Sequence, residues 1–368
     1  MNHISLFLPL FVMSACNPSV PQSPAPKIGA GAQIMESPNQ QISSAEKNPA
    51  NQEANKSAKM HGLTFVAPPE PFPENPMTHV REVGATWISV VPYAFTRLDV
   101  PNVRFSEHGG QWWGERPEGV RETIRLAHEH GIKVMLKPQV YVPYGWTGAL
   151  DFKTDEDWAL WEAAYERYIL RFAALADSSG AELFCIGTEF NTSIQKRPQF
   201  WTGLIHKIKA VYHGKLTYSS NWDDWERVPF WSELDYIGLG GYFPLVDATT
   251  PEVAQLKTAW KPIVERLKIL SKEKGKPVLF TEFGYLSVDG CGWRNWELER
   301  GVEGRNINEQ AQANCLEALF ATFQPEEWWA GGFLWKWFPN MRGHEGYPER
   351  DYTPQGKIGE QVLKTWYK

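Results

Sequence analysis

One long stretch of this 368-residue chain lacks aromatic side chains altogether: residues 17–60 contain no Phe, Tyr or Trp. A segment with so little apolar surface cannot offset the entropy of ordering itself, and its Pro, Ser, Ala, Asn and Gln content reads as a disordered polar linker. Cysteine is scarce, with four in all. No CxxC, HExxH or His-rich spacing occurs, so a metal site has no support and no cofactor is expected. Positive charge is not in excess either. Lys and Arg number 37 against 43 Asp and Glu, for a net charge of -6, which leaves no basic footprint for nucleic acid and no polybasic patch for a membrane surface.

The chain opens on an apolar run, Ile4 to Met13, too short for a spanning helix and followed by Ser14, Ala15 and Cys16. Residues 1–16 thus resemble a bacterial lipoprotein signal with its lipobox. That likeness implies cleavage before Cys16, lipidation of its thiol, and an exported protein held at the cell envelope. Asn17 rather than Asp after the cysteine favours the outer membrane. The other reading is an ordinary secretory signal. Beyond Cys16 stand Cys185, Cys291 and Cys315, an odd number, so an exported form keeps at least one free thiol or pairs between molecules. Cys185 lies in an apolar run and reads as a buried small hydrophobe, while Cys291 and Cys315 are open to pairing.

What the chain has in abundance is tryptophan, 18 residues, all from Trp87 onward. Aromatic faces in clefts bind flat apolar ligand surfaces such as sugar rings. From residue 61 the sequence repeats a pattern of apolar run and amphipathic segment. The runs are Leu63–Ala67, Thr86–Val91, Lys133–Val142, Leu183–Glu189, Leu216–Asn221, Tyr236–Tyr242, Val278–Tyr285 and Gly331–Phe338. Helices are expected over Pro117–His130, Asp155–Ala176, Pro251–Lys274 and Asn306–Phe323. Near-continuous apolar strands alternating with helices argue for a parallel sheet covered on both faces. Eight such units predict a single α/β domain, a (β/α)8 TIM barrel over residues 61–368. A doubly wound open sheet is the alternative, but no GxGxxG follows the first strand. A monomer is expected.

In a barrel of this kind the chemistry sits at the C-terminal ends of the strands. Runs four and seven both end in Thr-Glu-Phe, at Glu189 and Glu282. A lone strand-end Glu is usually solvated or salt-bridged, but strands four and seven face each other across an eight-stranded barrel. Two carboxylates about 5 to 5.5 Å apart suit a retaining glycosidase. One must be neutral to protonate the leaving oxygen and the other ionised to attack the anomeric carbon. Burial and like-charge proximity push their pKa values apart in that sense.

These residues carry a resemblance to clan A glycoside hydrolases, and more closely to glycoside hydrolase family 113, known for endo-β-1,4-mannanases. It covers most of residues 61–368 and rests on Leu136–Gln139, Cys185–Phe190, Tyr218–Asp223, Asp235–Leu245, Phe280–Tyr285 and Gly331–Trp337. The likeness implies Glu189 as acid/base, Glu282 as nucleophile and a β-linked polysaccharide as substrate. Many clan members carry Asn before the acid/base, where this chain has Thr188. Trp335 would lie beneath the ring being cleaved, or pack the barrel mouth. Tyr242 would donate its hydroxyl to the nucleophile, or pack at the rim. Lys137, Gln139 and Asn221 alternate with apolar neighbours and are expected to hydrogen-bond sugar hydroxyls, although Lys137 would equally pair with a structural carboxylate. Trp146, with the other loop tryptophans Trp112, Trp113, Trp222, Trp225, Trp293 and Trp296, would line a groove in part, whereas Trp158, Trp161 and Trp260 read as helix core. The alternatives are another clan A β-glycanase or β-mannosidase, and a non-catalytic glycan-binding lipoprotein.

Overall fold

The computed structural model describes residues 59–339 and 348–368; the expected signal with Cys16, and the linker up to residue 58, lie outside the described residues. Eight strands form the barrel: β1 (Met60–Phe65), β2 (Trp87–Val90), β3 (Lys133–Leu136), β4 (Leu183–Thr188), β5 (Lys215–Ser219), β6 (Ile237–Gly240), β7 (Val278–Phe283) and β8 (Trp329–Trp337). They hydrogen-bond in the order β5-β4-β3-β2-β1-β8-β7-β6, every pair parallel. The two ends of that order meet at a single bridge, Ser220 to Leu239. There the Ser220 N–H donates to the Gly238 carbonyl at 3.0 Å and the Gly240 N–H to that of Ser220 at 2.9 Å. The approach needs glycine, since a Cβ on Gly238 would run into the Tyr218 carbonyl and the Thr217 hydroxyl. Each expected run supplies one strand of the barrel, because residues buried against helices outside and side chains inside must be apolar on both faces.

The helices begin and end where local chemistry dictates. The helix Asp155–Ser179 is capped by the Thr154 side chain, which accepts from the Asp157 N–H at 3.1 Å, and stops at Gly180 with φ 73°. Its expected stripe of Trp158, Trp161, Tyr165, Ile169 and Phe172 is buried. Val253–Lys274 starts two residues later than expected, at a capping box of Glu252 and Gln255. Glu309–Phe323 starts after Asn308, whose side chain accepts from Ala311 N–H at 2.9 Å. Trp260 packs its ring against Phe243, Phe280 and Phe323 in the layer between helices and barrel. The three described cysteines, Cys185, Cys291 and Cys315, are buried and free.

One addition was not expected. The run Lys133–Val142 is two strands rather than one: β3 ends at Leu136, and Gln139–Tyr141 joins Tyr93–Arg97 and Val100–Arg104 in a separate three-stranded sheet. Tyr93–Arg97 is its centre, parallel to Gln139–Tyr141 and antiparallel to Val100–Arg104. Because Tyr93 and Gln139 follow the last residues of β2 and β3 by three positions each, this sheet rises from the barrel mouth.

Candidate active site

Glu189 stands one residue beyond β4. The pairing of β4 with β5 slips between Cys185 and Thr188, and Glu189 then takes a left-handed backbone with φ 57°. For a residue other than glycine that conformation costs on the order of 1 to 3 kcal/mol and persists only where the surroundings impose it. Here the Glu189 N–H donates to the Ser219 carbonyl at 2.8 Å, and the next N–H, of Phe190, donates to the Tyr218 hydroxyl at 2.7 Å. The side chain receives one donor, the Trp146 indole N–H, at 2.6 Å from Oε2. Burial raises the Glu189 carboxyl to about 7, with the charge of Glu282 adding to the rise, while the Trp146 hydrogen bond and the Lys137 charge oppose it. Trp146 is held by close packing on Gly148, where a Cβ would collide with the indole ring.

Glu282 lies on β7, just where its pairing with β6 also slips, between Phe280 and Glu282. Its carboxylate is enclosed by donors. Lys137 Nζ and Gln139 Nε2 both reach Oε1, the amide at 2.6 Å, and the Tyr242 hydroxyl donates to Oε2 at 3.2 Å. An ionised carboxylate only accepts, so a cation, an amide and a phenol on its two oxygens form a matched set. The Lys137 side chain is wholly buried, and its ammonium also lies over the Trp335 ring, 5.7 Å from the centroid.

Both carboxyls open into one cleft of about 630 Å³, also lined by Trp146, Asn221, Tyr242 and Trp335. Lys137 and Gln139, both expected at sugar hydroxyls, hydrogen-bond Glu282, and for Lys137 a carboxylate partner was the other expectation; the inward alternation at the end of β3 aims both side chains at that carboxyl. Asn221 lines the wall and donates to Asp223 Oδ1 at 2.9 Å. Trp146 is 41% exposed, so its ring faces the cleft while its N–H is committed to Glu189. Among the loop tryptophans, Trp222 and Trp296 stack with centroids 5.5 Å apart and line the same cleft, whereas Trp225 is buried. Trp158, Trp161 and Trp260 are core.

The cleft also holds residues that the sequence did not single out. Glu299 and Arg300 come from the long connection after β7, and Tyr352 follows β8. Tyr352 donates its hydroxyl to Glu299 Oε1 at 2.7 Å and meets the Tyr242 ring edge-on, with centroids 6.2 Å apart. None of these positions has periodicity or a motif to mark it. The arrangement as a whole sets a carboxyl whose pKa burial raises to about 7 in one cleft with a second carboxyl held by three donors.

The family model described as Glycoside Hydrolase Family 113 matches residues 70–357. Among solved structures, the chain is similar to a GH113 β-1,4-mannanase solved as a complex, at 25% identity and TM-score 0.71, covering 84% of this chain and 98% of that one. It is similar also to the GH113 β-mannanase from Alicyclobacillus acidocaldarius in complex with ManMIm, at 25% identity and TM-score 0.73 over 84% and 97%. A β-glucuronidase from Faecalibacterium prausnitzii, at 14% identity and TM-score 0.57 over 84% and 48%, shares the fold alone. A search of curated proteins returned no match. With more than half of its length matched by the family model, the chain belongs to glycoside hydrolase family 113 and is a glycoside hydrolase.

Proposed function

We propose that the protein hydrolyses β-1,4-mannosidic bonds in mannan-type polysaccharide by retaining double displacement, with Glu189 as acid/base and Glu282 as nucleophile. The observation that carries this reading is the unequal setting of two carboxyls in one cleft: Glu189 raised to about 7 by burial, and Glu282 enclosed by Lys137, Gln139 and Tyr242. Below pH 7 Glu189 holds the proton that the leaving oxygen needs, while Glu282 attacks the anomeric carbon and forms a glycosyl-enzyme. Once Glu282 is esterified its charge is gone, and with it one cause of the raised Glu189 pKa. Glu189 then becomes a stronger acid and, as carboxylate, takes the proton from the water that attacks the intermediate. Trp335, beside Lys137 and Glu282, serves as the platform for the ring at the bond cleaved. Mannan as substrate is supported by the two similar members of the family, both β-mannanases.

A panel of mannan, glucomannan, cellulose, xylan and β-1,3-glucan with product sizing tests the substrate and endo or exo action. Turnover of another β-glycan would replace the mannan assignment, and retention of glycans without turnover would mean a binding protein. NMR of the first product should show the retained anomer, and inversion would overturn the nucleophile role. We further propose that residues 1–16 act as a lipoprotein signal, with lipidated Cys16 holding the exported protein at the outer membrane. Cys16→Ser should move the protein to the soluble fraction, and persistence in membranes would refute the anchor.

A further inference from the structure

The segment after β3 begins on one carboxyl and ends on the other: Gln139 donates to Glu282 and Trp146 to Glu189. Between them the chain turns sharply at Val142–Gly145, closed by the Gly145 N–H on the Val142 carbonyl at 3.1 Å. Pro143 takes the second position of the turn and Tyr144 the third, with φ 57°. Proline followed by a positive φ defines a type II turn, whose third position favours glycine or asparagine. A tyrosine there is strained, yet its side chain is wholly exposed, and among the described residues it makes no ring contact or hydrogen bond. Among the described residues no side-chain contact of Tyr144 offsets that strain. Two further aromatic rings stand close by: Tyr141, 52% exposed, meets Phe95 edge-on at 6.0 Å between centroids. Phe95 and Pro143 line an apolar groove of about 310 Å³.

We propose that Tyr144, with Tyr141 beside it, forms a distal subsite that stacks on a hexose ring of the polysaccharide beyond the bond being cleaved, on the leaving-group side. The occupant follows from continuity. Gly145 and Trp146, the next two residues, already line the cleft, and two residues of chain put Tyr144 Cα within about 7 Å of Trp146 Cα. Trp146 touches Glu189, the group assigned to protonate the leaving oxygen, so a chain continuing past it on that side runs toward Tyr144. Sugar rings present C–H faces that suit an exposed, rigid aromatic with few rotamers to lose. This inference rests on the assignment of Glu189 as acid.

The test compares polymer with an activated aryl β-mannobioside, which carries no sugar on the leaving-group side. Tyr144→Ala and Tyr144→Gly should each lower the polymer-to-aryl ratio of kcat/KM about tenfold, mainly through KM, and Tyr144→Trp should restore it. The glycine variant should melt no lower than the wild type, since glycine suits the turn, and this separates lost binding from lost folding. A ratio within twofold of wild type in Tyr144→Ala would overturn the subsite. If the wild type cleaves a different glycan from the panel, the ratio is read on that polymer, so the mannan assignment can fail while the subsite stands. Should no glycan be turned over, electrophoresis through mannan-containing gel gives the readout: slower migration of wild type than of Tyr144→Ala supports the subsite, and equal migration overturns it.

Discussion

Replacing Glu189 with glutamine keeps an acceptor for the Trp146 indole but removes the ionisation, and the two consequences can be read separately. The folded chain raises this carboxyl from 4.5 to about 7. At ~1.4 kcal/mol per pKa unit, ionising it inside the fold forfeits about 3 kcal/mol, reduced to ~2 kcal/mol by water in the open cleft. The sign follows from linkage: the folded state binds the proton more tightly than the unfolded chain, so wild-type stability is full below about pH 4.5 and declines as pH rises to about 7. Glu189→Gln has no such decline. It should gain ~2 kcal/mol over wild type at pH 8 and almost nothing at pH 4.5. With an unfolding entropy of ~2 cal/mol/K per residue over about 300 residues, that is a Tm difference of roughly 3 °C, present only at the higher pH. Calorimetry at the two pH values measures it, and an equal shift at both would refute the buried, proton-holding carboxyl. In the same variant, turnover of polymer should fall by ~10² to 10⁴, but that of an aryl substrate with a good leaving group much less. Wild-type kcat/KM on polymer should fall as pH rises through about 7, as expected for an acid with that pKa.

Glu282→Ala should abolish hydrolysis of every glycan that the wild type cleaves and, by leaving the buried Lys137 ammonium without its carboxylate, lower the melting temperature by a few degrees; residual turnover within tenfold of wild type would exclude a nucleophile there. Lys137→Met leaves the Glu282 carboxylate with only neutral donors in a buried site, so urea unfolding should show a loss of ~3 kcal/mol and kcat should drop about 100-fold. Wild-type stability in that variant would show that the pair contributes nothing. Gly148→Ala forces Trp146 from its packing surface and from Glu189. Because that hydrogen bond holds the Glu189 pKa down, its loss should move the alkaline limb of the pH profile to higher pH, with kcat/KM about tenfold lower. An unmoved limb would mean the bond has no influence on the acid.

The parts of this molecule that could be read from sequence were those with a period or a repeated word. Eight apolar runs announced eight strands, because a strand buried on both faces has no polar positions to disguise it. The repeated Thr-Glu-Phe singled out Glu189 and Glu282, which share the cleft. The destination of a long polar side chain was not legible. Alternation showed that Lys137 and Gln139 point inward at a strand end, but not that both reach Glu282. Boundaries slipped where capping decided them, as at Asn308 and Glu252. Glu299 and Tyr352 were invisible because they arrive on irregular connections separated by about 50 residues, and only the folded chain brings their side chains together.

The lone bridge between Ser220 and Leu239 has a bearing on how this enzyme would fail. Stitched by so few bonds, this edge is where warming should part the barrel first. It lies against the backbone that steadies both carboxyls: Ser219 accepts the Glu189 N–H, and Tyr242 follows two residues after Gly240 and reaches Glu282. Inactivation on heating should therefore run ahead of helix melting, with the catalytic groups drifting out of alignment while most of the secondary structure is intact.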